Sequence, residues 1–172
     1  MVVSDHGMMT ADEDKKIDVA TLGISNAFTV QNEGGQLMLY ASPQVRQDAI
    51  ARQRNALVKQ QDGQFTVLDA NARRALNASR VERFGDILLQ AVPPHRFSSK
   101  DYTYFSPGAH GYSPDLPDMQ GIFIASGPAF ASNMTLPALS NLEIYPALAK
   151  IMGLPLLNTI DGQIEVLKPA LK

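Results

Sequence analysis

The opening residues, Val2-Val3-Ser4-Asp5-His6-Gly7-Met8, constrain this chain more than any other stretch. Two β-branched residues favour a strand. They lead into a carboxylate and an imidazole, and glycine ends the run. That order reads as a buried strand delivering Asp5 and His6 to the C-terminal edge of a sheet, where open α/β sheets bind ligands. An Asp at a strand end is also a common cap or turn former, so the pair is ambiguous by itself. A second stretch answers it: Gly108-Ala109-His110-Gly111-Tyr112, followed by Asp118-Met119-Gln120-Gly121-Ile122-Phe123-Ile124-Ala125-Ser126-Gly127-Pro128-Ala129-Phe130. Glycines on both sides of His110 let the backbone there adopt unusual angles and approach a ligand closely. The two stretches are expected to be parts of one metal site whose remaining parts lie outside the chain. A strand-end motif at residue five also predicts that further sequence belongs before it.

Composition narrows the chemistry. With 172 residues there is room for one domain, or for one core plus a small appended unit. A formal charge of −2 offers no broad basic surface for nucleic acid. No apolar run approaches the roughly 18 residues of a membrane span, and the N-terminus lacks the layout of a signal peptide. Cysteine is absent, which excludes thiolate zinc sites, thiol catalysis and disulfides. Any metal must be held by histidine and carboxylate.

Along the chain, Thr10 to Asp18 reads as loop, with Ile17, Val19 and Leu22 able to supply a short strand or anchor. Ala27 to Gln31 alternates as a strand, Gly34-Gly35 turns, and Gln36 to Ala41 returns, which predicts a hairpin. Ser42-Pro43 predicts a helix start. The helix runs from Pro43 to about Gln61, with Val45, Ile50 and Leu57 on its apolar face and Asp62-Gly63 as its stop. Gln64 to Leu68 is a further strand, Asn71 to Leu76 a short helix, and Phe84 to Val92 another strand. Residues 18–92 are thus expected to form a small α+β insert subdomain. Residues 1–17 and 93–172 would belong to the surrounding α/β core. Residues 93–120 are Pro-rich and irregular, and irregular stretches of that length are commonly functional. Gly121 to Ser126 predicts a strand buried on both faces. Ser140-Asn141 opens a helix to Met152, with Leu142, Tyr145, Leu148, Ala149 and Met152 as its buried face.

Among other candidates, His95 has no partners around it in sequence and reads as a surface or packing residue. Arg46, Arg52, Arg54, Arg73, Arg74, Arg80 and Arg83 read as a solvated face of the insert. Tyr102, Tyr104, Phe105 and Tyr112 flank His110. They either stack on a base or headgroup or pin a long loop to the core, and Tyr104 and Tyr112 are the candidates for substrate contact.

The landmarks Ser4-Asp5-His6-Gly7-Met8, His110-Gly111-Tyr112, Gly127-Pro128-Ala129-Phe130, Leu139-Ser140-Asn141-Leu142-Glu143-Ile144-Tyr145-Pro146 and Gly153-Leu154 occur in order and with suitable spacing. In that arrangement the chain resembles the C-terminal portion of the nucleotide pyrophosphatase/phosphodiesterase family, in the alkaline phosphatase superfamily. The resemblance implies an α/β fold: a partial alkaline-phosphatase-like sheet with helices, carrying the small α+β insert. It implies two zinc ions and a threonine nucleophile in the complete enzyme. Asp5 and His6 match the pair that binds the zinc beside the nucleophile, and His110 matches a ligand of the other zinc. Two metals about 4 Å apart clamp a phosphoryl group and activate the attacking oxygen.

The family's nucleophile and the remaining ligands precede the Ser-Asp-His-Gly stretch, so three of six ligands and no nucleophile are expected here. The implied parent activity is hydrolysis of a phosphodiester or pyrophosphate bond in a nucleotide-like substrate, with this chain inactive alone and holding zinc weakly or not at all. The family also implies a periplasmic or extracellular setting. A fragment of a phosphonate or sulfate ester hydrolase of the same superfamily, and a non-catalytic binding or assembly module, are the alternative readings. An exposed sheet edge predicts an oligomer.

Overall fold

The computed structural model describes residues 1–100, 106–157 and 159–172. In chain order its strands and helices are β1 (Val2–Val3), β2 (Met9–Thr10), β3 (Lys16–Asp18), β4 (Phe28–Asn32), β5 (Gln36–Ala41), α1 (Gln47–Val58), β6 (Phe65–Val67), α2 (Ala70–Ala75), α3 (Val81–Phe84), β7 (Ile87–Ala91), β8 (Arg96–Ser98), β9 (Gly108–Ala109), β10 (Phe123–Ile124) and α4 (Ile144–Met152). The mixture of helix and sheet is of the α/β class expected. The chain divides into two compact units: a central one, His6–Gln120, and a terminal one, Met1–Asp5 with Gly121–Lys172. The central unit contains the whole of the 18–92 segment and extends beyond it on both sides.

The central unit is built on a four-stranded antiparallel sheet in the order β4-β5-β7-β6. Successive side chains of a strand point to opposite faces, and the sequence uses this directly. Leu37 and Leu39 of β5 join Ile87, Leu89 and Ala91 of β7 in one cluster, with Ile50 and Leu57 of α1. Met38 and Leu88 point the other way and pack with Leu68, Ala78 and the partly buried Ala72, Leu76 and Phe84. Both faces are therefore covered, and all five residues of β7 are buried.

The predicted Gly34-Gly35 turn joins β4 to β5. Gly34 sits at φ +77°, a region glycine enters without penalty, and its amide donates to Asn32 Oδ1 at 2.9 Å. Beside this sheet β3 and β8 pair in parallel, placing Ile17 opposite the fully buried Phe97.

Several expected boundaries shift. The first long helix begins at Gln47, not Pro43, because Ser42 and Pro43 are spent on a turn closed by a bond from the Val45 amide to the Ser42 carbonyl. The strand expected from Phe84 begins at Ile87, and Phe84 itself ends α3 instead. The short helix starts one residue early because Asp69 caps it, accepting from the Asn71 and Ala72 amides. The buried Arg73 guanidinium donates to the carbonyls of Ala78, Gly85 and Asp86, which fixes the α2–α3 connection.

In the terminal unit β1 and β10 pair antiparallel, Val2 with Ile124 and Val3 with Phe123. The pairing extends through the Ser4 amide to the Ile122 carbonyl and the Ile122 amide to Ser4 Oγ. The strand expected from Gly121 to Ser126 is thus only two residues long, and it is not buried on both faces: Ile124 is 61% exposed. Among the described residues β1 and β10 form a sheet of two strands only.

Helix α4 forms where expected. Ser140 and Glu143 close a capping box at the preceding turn, and Gly153 ends the helix in the left-handed conformation at φ +66°. Of its predicted buried face only Ala149 is buried. Pro146, Ala147 and Ala149 are buried, whereas Leu142, Tyr145, Leu148 and Met152 are exposed. Leu167 and Ala170 of this unit are also buried.

Candidate functional site

The candidate residues lie on the two stretches singled out by the sequence. In the central unit β2 and β9 pair antiparallel, Met9 with Ala109 and Thr10 with Gly108. This register carries His6, ahead of β2, and His110, just after β9, to the same end of a short ladder. Their imidazoles stack there, with ring centroids 4.0 Å apart and planes inclined by 19°. Two histidines 104 positions apart in the chain are thus brought into direct contact.

The backbone that holds them is tightly constrained by glycine. The Gly7 amide donates to the Met119 carbonyl at 2.8 Å. A side chain at Gly7 would collide with the carbonyl oxygens of Asp118 and Gln120, the latter at 2.7 Å. A side chain at Gly35 would meet the carbonyls of His110 and Gly111 at 2.8 Å. The carbonyls of Gly34 and Gly35 in turn accept from Phe97 and Ala91. The hairpin turn therefore ties the sheet to the segment that presents His110, and Gly111 relieves that segment at φ +84°. Sequence reading took Gly34-Gly35 as a turn alone. The doublet is the available signal of this second role, since a turn of this kind needs one glycine and close approach explains the other.

His6 is half-buried and His110 is exposed. His6 Nδ1 lies 2.7 Å from the Gly7 carbonyl oxygen. A carbonyl only accepts, so in this contact Nδ1 is the donor. Asp5 falls in the terminal unit, where its carbonyl accepts from Asn141 Nδ2 at 2.6 Å. Asn141, which sequence reading treated only as a helix start, thereby anchors the residue preceding His6. Among the described residues no group of three or more histidine, aspartate or glutamate side chains forms a cluster able to hold a metal.

The other candidates separate cleanly. Tyr112 is buried in the main core cluster, and its hydroxyl donates to the His95 carbonyl at 2.9 Å. His95 Nδ1 bonds the Val92 carbonyl at 3.0 Å, a local packing contact. Tyr102, Tyr104 and Phe105 lie outside the described residues. Arg46 and Arg52 both pair with Asp48 on the exposed face of α1, as expected of a solvated face, but Arg73, expected on that face too, is buried with its guanidinium bonded to three carbonyls.

No family model matches the chain. Individual proteins do. An ectonucleotide pyrophosphatase/phosphodiesterase of Caenorhabditis elegans is 26% identical over 165 residues, 94% of this chain and 20% of that protein. Human ectonucleotide pyrophosphatase/phosphodiesterase family member 5 is 40% identical over 47 residues, 27% of this chain and 10% of that protein. The solved structure of human ectonucleotide pyrophosphatase/phosphodiesterase 5 superposes with a TM-score of 0.82 at 22% identity, covering 99% of this chain and 44% of that one. The murine counterpart, solved as an inactive variant in complex with AMP, gives a TM-score of 0.81. The chain therefore spans less than half the length of these relatives. In sequence and in fold its relatives are the ectonucleotide pyrophosphatase/phosphodiesterases, and it is similar to a part of such a protein.

Proposed function

We propose that this chain is the C-terminal metal-binding part of a type I phosphodiesterase/nucleotide pyrophosphatase, whose complete form hydrolyses phosphodiester or pyrophosphate bonds with two zinc ions. The observation that carries this reading is the His6–His110 stack. It brings together the two histidines that the family resemblance assigns to metal, although the chain separates them by a whole subdomain.

The donors fit zinc in kind. Imidazole and carboxylate are among its nitrogen and oxygen ligands. They do not fit it in number. Asp5 and His6 would serve one zinc and His110 the other, short of the three or four protein ligands of a stable site. The remaining donors and the threonine nucleophile would come from the part of the family fold that this chain does not match. Bound zinc supplies charge stabilisation for the transferring phosphoryl group and lowers the pKa of an attacking oxygen. The chain's own share is positional: Gly7 and Gly35 hold the two histidines, and Asn141 holds the backbone at Asp5. By itself the chain is expected to be inactive, to hold zinc weakly, and to self-associate through the open side of β1.

The test is complementation. The chain is co-expressed with the remainder of a related enzyme and assayed for release of nitrophenol from bis-nitrophenyl phosphate with added zinc. Activity should appear only in the combination. His110→Ala should reduce it by more than the roughly 10–100-fold that loss of an outer-shell partner costs. Turnover by the chain alone that disappears in Asp5→Ala would sink the reading.

A further inference from the structure

We infer that the exposed apolar face of the terminal unit is a docking surface for the rest of a pyrophosphatase/phosphodiesterase fold, the portion of the relatives' length that this chain does not match. This rests on the reading above of the chain as part of such a protein. Helix α4 carries the argument. Its only charged residue is Lys150, and a helix that is apolar all round is a buried helix. Yet only Pro146, Ala147 and Ala149 are covered. Tyr145, Leu148 and Met152 recur at the three- and four-residue spacing of one helical face and are exposed, Met152 by 67%. Leu154, Leu156 and Leu157 continue the apolar run beyond the helix, also exposed. In the same unit β1 has a strand neighbour only at β10 among the described residues, and Val2 and Val3 are exposed. A two-stranded ladder is at best marginal in water by itself.

The occupant follows from length. The human relative matches 99% of this chain yet is covered to only 44%, so more than half of its polypeptide has no counterpart here. A lipid surface would call for a basic fringe on the helix, and α4 offers Lys150 alone.

The surface is tested without zinc or substrate. The tagged chain is co-expressed with the unmatched remainder of human family member 5, and the recovered species is sized by light scattering. A one-to-one complex is expected, with hydrogen-exchange protection of residues 144–152 raised at least tenfold over the chain alone. The double variant Tyr145→Asp, Leu148→Asp should weaken the complex at least tenfold while the circular dichroism of the chain is unchanged. Val81→Asp, at an exposed apolar site of the central unit, should not weaken it. Failure to recover a complex with a folded chain would overturn the proposal. So would a complex indifferent to the double variant, a discrete homodimer that excludes the remainder, or preferential partition onto phosphatidylcholine vesicles. A complex that forms as described but hydrolyses nothing with zinc would leave the surface standing and sink the catalytic reading. Hydrolysis that survives the double variant would do the reverse.

Discussion

The central and terminal units differ in how they spend their apolar residues. Among the described residues both buried hydrophobic clusters lie in the central unit. Fourteen of the eighteen exposed large apolar side chains among the described residues lie in the terminal unit, which is about a third of the length. A sheet covered on both faces needs nothing further. A two-stranded ladder and a helix apolar on both sides do. Apolar side chains left in water forgo roughly 1.5–3 kcal/mol each relative to burial, so a chain keeps many of them exposed only where something else is to cover them. The candidate metal ligands divide between the units as well: His6 and His110 belong to the central one, and Asp5 to the terminal one.

The largest effect that could break this contrast is on core truncation. Phe97 and Leu89 are fully buried in the main cluster. Phe97→Ala should cost about 3–5 kcal/mol and Leu89→Ala about 2–5 kcal/mol. Leu148→Ala in the exposed stripe of α4 should stay within about 0.5 kcal/mol. Urea unfolding of the three variants decides. If Leu148→Ala costs as much as Leu89→Ala, the stripe is already covered and the contrast fails.

Next in size are the glycines that seat the histidines. Gly35→Ala forces a methyl against the backbone of His110 and Gly111, and Gly7→Ala forces one against residues 118 and 120. Backbone cannot swing aside as a flexible side chain can, so each should cost about 1–3 kcal/mol. Each should also part the stacked rings, seen as a downfield shift of the imidazole ring protons once the neighbouring ring current is lost. Unchanged imidazole resonances in both variants would show that the stack does not depend on these close approaches.

The sequence carried the central unit well and the terminal one poorly, for a physical reason. Alternation in β5 and β7 and the stripe of α1 are complete patterns, because every partner is in the chain. Gly121 to Ser126 and α4 also showed apolar patterns, but a pattern says that a face is meant to be covered, not that its cover is present. Hence Leu142, Tyr145, Leu148 and Met152 read as a buried face and are exposed. The pairing of the two motif stretches was legible in outline, since both ended in glycine beside a histidine. The stacking of His6 on His110, the seat at Gly35 and the hold of Asn141 on Asp5 depend on tertiary approach and left no period to read. Pro43 looked like a first helical residue because that position and a turn's second residue favour the same φ.

The smallest expected effect lies within the central unit and concerns acid. Asp69 caps α2, and bonds from the Ala72 and Asn71 amides hold its carboxyl below the usual carboxylate range. Asp48 is also held well below that range, by its hydrogen bonds to Arg46 and then Arg52. A carboxyl with a depressed folded pKa contributes stability that is present above its unfolded value, about 3.9, and is lost as pH falls through the folded value. Urea midpoints should therefore decline as pH drops below about 4. Both groups are exposed, so the decline should be shallow. Salt separates them. The screening length falls from about 10 Å at 0.1 M to about 3 Å at 1 M, which should erase most of what Asp48 contributes through two guanidinium groups. The Asp69 contribution comes chiefly from backbone amides at hydrogen-bond distance and should persist. Asp69→Asn keeps a capping oxygen but does not titrate, so in 1 M salt it should flatten most of the remaining slope. A slope that is unchanged in Asp69→Asn but vanishes in Asp48→Asn would assign the acid sensitivity to the ion pairs of α1 instead.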